Sequence, residues 1–173
     1  MHRRILTTCL LMTLVAFGAT GCDMIGQTET ETTPVEPTGA DPFVELDAWG
    51  RVEDDTLVVE GTATVPDDAM LAYVVIPMAG DGELIQETRT QSVTYVRNEE
   101  FSFRVPVAEW EGDKLNVWVA FYTTVTDTTG GGVTIEQPAE VIQRYGEKGE
   151  FIEGETRQLG DVTIVEVAFT VDR

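Results

Sequence analysis

Residues 56–71 read TLVVEGTATVPDDAML, and their spacing decides the fold. Leu57, Val59, Gly61, Ala63 and Val65 fall on one face of an extended chain, with Val58, Glu60, Thr62 and Thr64 on the other. A period of two marks a strand with one face in a core. Pro66-Asp67-Asp68 follows, a cluster that favours a turn. Residues 71–78 are then a nearly unbroken apolar run, as a central strand buried on both faces requires.

The same texture extends in both directions. Upstream, Val44, Leu46 and Ala48 alternate with Glu45 and Asp47. Downstream, two weaker strands are expected within 83–97, where Val93 and Tyr95 face one way and Thr94 the other. Phe101, Phe103, Val105 and Val107 alternate with Ser102, Arg104 and Pro106, and Leu115, Val117, Val119 and Phe121 share one face of 115–122. The chain closes on a strand over 162–171. The 24 threonines against two serines fit strands, which favour β-branched residues. Seven or eight short strands with turns between them predict an all-β, antiparallel two-sheet sandwich.

The 56–71 stretch resembles the strand, Pro-Asp turn and strand that open bacterial immunoglobulin-like domains. EEFSF at 99–103 followed by GDKLNVWVAF at 112–121 is similar to their second half. The resemblance covers about 43–123 and implies an immunoglobulin-like topology. It carries no functional residues, because such sandwiches host many unrelated activities. The Cys-Trp-Cys core of antibody domains is absent.

Residues 1–22 read MHRRILTTCLLMTLVAFGATGC. Arg3 and Arg4 precede a charge-free apolar run, 5–17, that is short for a membrane span and suits a secretory signal peptide over 1–21. Ala19-Thr20-Gly21-Cys22 resembles the lipobox of bacterial lipoprotein precursors, although Ala19 stands where leucine is usual. The resemblance implies cleavage before Cys22 and lipid, palmitate included, on that cysteine. Two or more acyl chains would then hold the protein on the extracytoplasmic face of a cell membrane. Ala19-Thr20-Gly21 also reads as a general signal-peptidase site, which would release a protein with a free Cys22. A polar linker directly after the cysteine favours the lipid reading. Residues 22–42 carry five acids and no base among Thr, Pro and Gly, a composition that cannot bury enough apolar surface to order itself. They are expected to form a tether with an r.m.s. span of roughly 25 Å, leaving 43–173 as the sandwich domain.

One stretch exceeds a minimal sandwich. Residues 123–160 make a long late connection, and loops of that size are often functional. Within it, residues 138–146 read as a short helix, with Pro138 at its start and Gly146 just past its end. Val141, Ile142 and Tyr145 would share a face, and the helix is expected to lid one sheet. Thr129-Gly130-Gly131-Gly132 reads as a flexible link, since no Gly-Lys-Ser/Thr phosphate loop follows.

Composition excludes several functions. A formal charge of −20 argues against nucleic acid, whose binding needs clustered Lys and Arg. The only histidine is His2 and the cysteines are Cys9 and Cys22, so a processed chain lacks Ser-His and Cys-His catalysis and His- or Cys-ligated zinc. Carboxylates alone remain as catalytic groups. Pairs such as Glu99-Glu100 and Asp67-Asp68 lie in turns, where water keeps them ionised, so no enzyme, catalytic residue or cofactor is expected. Acids in the turns around Asp54-Asp55, Asp81/Glu83 and Glu109/Glu111/Asp113 would meet at one pole. Oxygen-rich poles bind Ca²⁺; weak Ca²⁺ binding is thus the one metal expectation, against the reading of a solvated acidic surface without a fixed metal site. The acid excess also resembles the surface of salt-adapted proteins.

Trp118 and Tyr122 lie on the face opposite Val117, Val119 and Phe121. Left open, that face is an aromatic platform for a partner or a sugar; covered by the helix or the C-terminal segment, it is core. The candidate partner surface is therefore Trp118 and Tyr122 with Tyr145 of the long connection. A platform predicts that Trp118→Ala costs binding and not stability. The functional expectation is a lipid-anchored, non-catalytic binding or assembly module of the cell envelope with an envelope protein as partner. The alternative is a solute- or glycan-binding lipoprotein serving a transporter or hydrolase.

Overall fold

The structure, a computed structural model, describes residues 41–126 and 134–173. The signal peptide, Cys22, most of the tether and the glycine link at 129–132 lie outside the described residues. The first seven strands are β1 (Phe43–Val44), β2 (Leu46–Glu53), β3 (Thr56–Ala63), β4 (Met70–Met78), β5 (Thr90–Tyr95), β6 (Glu100–Pro106) and β7 (Lys114–Phe121). The late connection then contributes β8 (Thr124–Thr126), β9 (Thr134–Glu136), helix α1 (Ala139–Tyr145), β10 (Glu153–Gly154) and β11 (Thr156–Leu159). The chain closes on β12 (Val162–Asp172).

One sheet has the order β2-β3-β6 and the other β11-β12-β7-β4-β5, antiparallel throughout. Among the long strands, the first, second and fifth pair in one sheet, while the third, fourth, sixth and last pair in the other. This is the crossing pattern of an immunoglobulin-like sandwich. The alternation foreseen for 57–65 holds: Leu57, Val59 and Ala63 have no exposure and enter the core between the sheets. Leu71, Tyr73 and Val75 of β4 meet them from the other sheet, with Val117, Val119 and Phe121 of β7. Tyr73 stacks on Phe103 of β6 with ring centroids 3.8 Å apart, joining the two sheets through the core. Gly61 is required here, because a Cβ would collide with the Asp47 carbonyl and with the Phe101 ring lying across it.

A two-residue hairpin sets the β2–β3 register, and a second two-residue turn carries the chain from β5 to β6 in the other sheet. Asp54 and Asp55 take φ of 47° and 58°, and Asn98 and Glu99 take 52° and 64°. Turns with two positive φ values match the right-handed twist of paired strands, and Asp and Asn tolerate that conformation best. The 83–97 stretch yields one strand, β5, instead of two. Only an isolated bridge, Met78↔Leu84, forms in its first half. Gly80, Asp81 and Gly82 curl that half into turns, with Gly82 N donating to Ala79 O and Ile85 N to Pro77 O.

The late connection is more structured than a helix in a loop, since it supplies four short strands. Helix α1 is where the proline and glycine signals place it, but it does not lid the outer face of a sheet. Val141 and Tyr145 have no exposure and join the inter-sheet core, where Tyr145 meets Phe121 edge-on at 5.3 Å. The helix is held at the end of β7 through this apolar pair. The chain also enters the domain at this end. β1 pairs in parallel with β10, Glu153 N donates to Pro42 O, and the Arg144 guanidinium donates to Asp41 O. Gly154 makes the pairing possible, as its φ is 125° and a Cβ would stand 2.5 Å from Val44 O.

Candidate functional site

The outer face of the five-stranded sheet is built in cross-strand rows. One row reads Ala168, Trp118, Val74, Gln91 across β12, β7, β4 and β5; the next reads Glu166, Ala120, Ala72, Val93. The paired alanines leave a shallow depression that a larger side chain can enter. Ile135 of the β8–β9 hairpin enters it, forming a second apolar cluster with Ala72, Ala120, Tyr122 and Ile164. Gln137 fixes the hairpin end. Its Oε1 accepts from Met70 N at 2.9 Å, and its Nε2 donates to Met70 O at 2.7 Å and Tyr122 O at 2.8 Å. This side chain continues the ladder where β7 has ended, so three buried backbone groups are satisfied.

Beyond the hairpin the face opens into a groove of about 1030 Å³. Trp118 and Val74 form its floor, Tyr122 and Ile142 one end, and Leu159 and Val162 the side given by the β11–β12 hairpin. Leu159 is 45% exposed. Trp118 is half-buried and its ring is fixed, because the indole N–H donates to Glu166 Oε2 at 2.7 Å while Arg157 donates to Oε1 at 2.7 Å. Charged residues form the rim. Lys148 Nζ lies 2.6 Å from Asp161, which raises the lysine pKa and lowers that of the aspartate through their hydrogen bond. The 146–150 loop carrying Lys148 is pinned by Thr123 Oγ1 donating to Glu147 O and by Thr163 N donating to Lys148 O.

The three sequence candidates therefore divide. Trp118 lies in the groove. Tyr122 reaches its end but is 4% exposed, held in the second cluster, so it is a wall and not an open platform. Tyr145 is no contact residue: it is fully buried, its hydroxyl points to Thr64 O at 3.5 Å, and burial raises its pKa. Its ring packs edge-on against Phe121 in the inter-sheet core, away from the outer face. Sequence reading missed Leu159 and the Glu166–Arg157 clamp, which become visible only once β11 is known to pair with β12.

The acidic turns lie at one pole, where Val107 N donates to Asp55 O and a Cβ on Gly80 would stand 3.6 Å from Asp113 Oδ2. Their carboxylates do not converge: among the described residues no group of three or more His, Cys, Asp or Glu is placed to hold a metal ion. No helix among the described residues is long and apolar enough to cross a membrane. No protein-family model matches the chain, and no curated protein or solved structure matches it.

Proposed function

We propose that this chain is a lipid-anchored protein of a bacterial cell envelope whose sandwich is a non-catalytic binding or assembly module. Its partner is an envelope protein that seats a segment in the groove over Trp118. The observation that carries this reading is the groove itself, an apolar floor with a fixed tryptophan and a rim of paired charges. That arrangement has the anatomy of a protein interface, with an apolar centre inside a polar border. Tryptophan is also the side chain that most often anchors such contacts. Among the described residues two carboxylates have displaced pKa values, Glu60 and Asp161, and both move down beside cations. They stay ionised and accept hydrogen bonds, which suits binding better than proton donation.

The anchor rests on Cys22 and the signal that precedes it. Under that reading the expected partner lies in or close to the same membrane. Metabolic labelling with a palmitate analogue tests the anchor: the label should appear in the wild-type protein and vanish in Cys22→Ser. In-cell cross-linking tests the module. A partner captured by the wild type should be lost from Trp118→Ala; a capture indifferent to Trp118 would place the contact elsewhere.

A further inference from the structure

The opposite outer face, on the β2-β3-β6 sheet, holds a second concavity that the groove reading does not use. Trp49, Glu60 and Ser102 stand side by side across its three strands, with Asp47, Thr62 and Glu100 in the next row. At the far side Tyr95 ends β5, stitched to β6 by Thr94 Oγ1 donating to Ser102 O at 2.9 Å. Together these strands enclose a trough of about 570 Å³. Trp49 and Tyr95 form its aromatic walls, 49% and 52% exposed. They are the most exposed large hydrophobic side chains among the described residues, and they line the same trough.

The floor between the rings is polar and already ordered. Glu60 accepts from Arg51 Nη1 at 2.7 Å, which fixes the carboxylate beside its row neighbour Trp49. Arg97 is paired with Asp68. Glu60 and Arg97 each hold an opposite charge, Glu100 adds one carboxylate, and unused lone pairs and N–H groups stay available. Thr62 and Ser102 add hydroxyls. Donors and acceptors between two exposed rings suit a ligand with apolar C–H faces and many hydroxyls. An anionic ligand is disfavoured, since residues 22–173 hold 31 acids against 9 bases. A protein segment is disfavoured as well, because the floor lacks an apolar centre.

We infer that the Trp49–Tyr95 trough binds a neutral oligosaccharide, the rings packing on sugar C–H faces and Glu60, Thr62, Ser102 and Arg97 bonding its hydroxyls. This site is separate from the groove over Trp118, and neither proposal depends on the other. The test titrates the full chain, in detergent, with neutral cello-, xylo-, malto- and chito-oligosaccharides, and with oligolysine as a cationic competitor. Saturable binding of at least one saccharide is expected, weakened about tenfold or more by Trp49→Ala and by Tyr95→Ala and unchanged in Leu84→Ala, an exposed apolar residue outside both sites. The melting temperature of each variant shows that it is folded. The inference is overturned if no saccharide binds, if both ring variants bind as the wild type does, or if oligolysine alone binds.

Discussion

Each sheet carries a tryptophan on its outward face, and the two rings have opposite surroundings. Trp118 has Ala168 and Val74 as row neighbours, lies beside an alanine pair that admits Ile135, and is half-covered by the late connection. Trp49 has Glu60 as its row neighbour, with Ser102 beyond, and stays half-exposed. Both strands alternate, so alternation alone does not distinguish the rings. What separates them is the size and polarity of the residues one strand away, which decide whether another segment can settle on the face.

Substitutions can break this comparison, and the largest effect should come from where the late connection enters the core. Tyr145→Ala empties a fully buried site against Phe121 and should cost about 3–5 kcal/mol, a fall in melting temperature of roughly 10 °C or more by calorimetry. A small change would mean that the helix is only loosely docked. Gln137→Ala leaves three backbone groups of the hairpin junction short of partners and should cost about 1–3 kcal/mol. Hydrogen exchange at the Met70 amide should rise while that of β3 amides stays slow. Trp118→Ala removes a half-buried ring and its bond to Glu166, so a loss of about 1–2 kcal/mol is expected, below that of a full core truncation. Trp49→Ala should stay within about 0.5 kcal/mol of the wild type. Equal losses at the two tryptophans would erase the distinction between the faces.

The smallest effect concerns pH. Arg51 lowers the Glu60 pKa below its ordinary 4.5 by hydrogen bonding and charge. The contribution of this pair to stability is therefore complete above that value and fades as pH falls through the lower folded one. Both groups are exposed, so the change in stability should be slight. A carboxyl ¹³C titration should show Glu60 low in the wild type and back in the ordinary range in Arg51→Ala.

The sandwich was legible in the chain because alternation and turn chemistry act locally. Leu57, Val59 and Ala63 point inward as their spacing demands, and Pro138 and Gly146 bracket the helix as their backbone preferences require. The coverage of the outer faces was not legible. It depends on Ile135 and Gln137 meeting residues more than sixty positions earlier, at Ala72 and Met70. For the same reason Tyr145 could be assigned to a helical face but not to the core. Trp49 was within reach: Val44, Leu46 and Ala48 inward require Trp49 outward, and Glu60 outward on β3 makes that face polar.

The central claim is that the groove over Trp118 is where a partner docks. A photo-reactive amino acid placed at Leu159, on the groove rim, and separately at Glu109, in the acidic β6–β7 turn, tests it most directly in living cells. The account predicts one discrete adduct from position 159 that disappears when Trp118→Ala is added, and none of that size from position 109. The same adduct from both positions, or one from 159 that persists without Trp118, would contradict it.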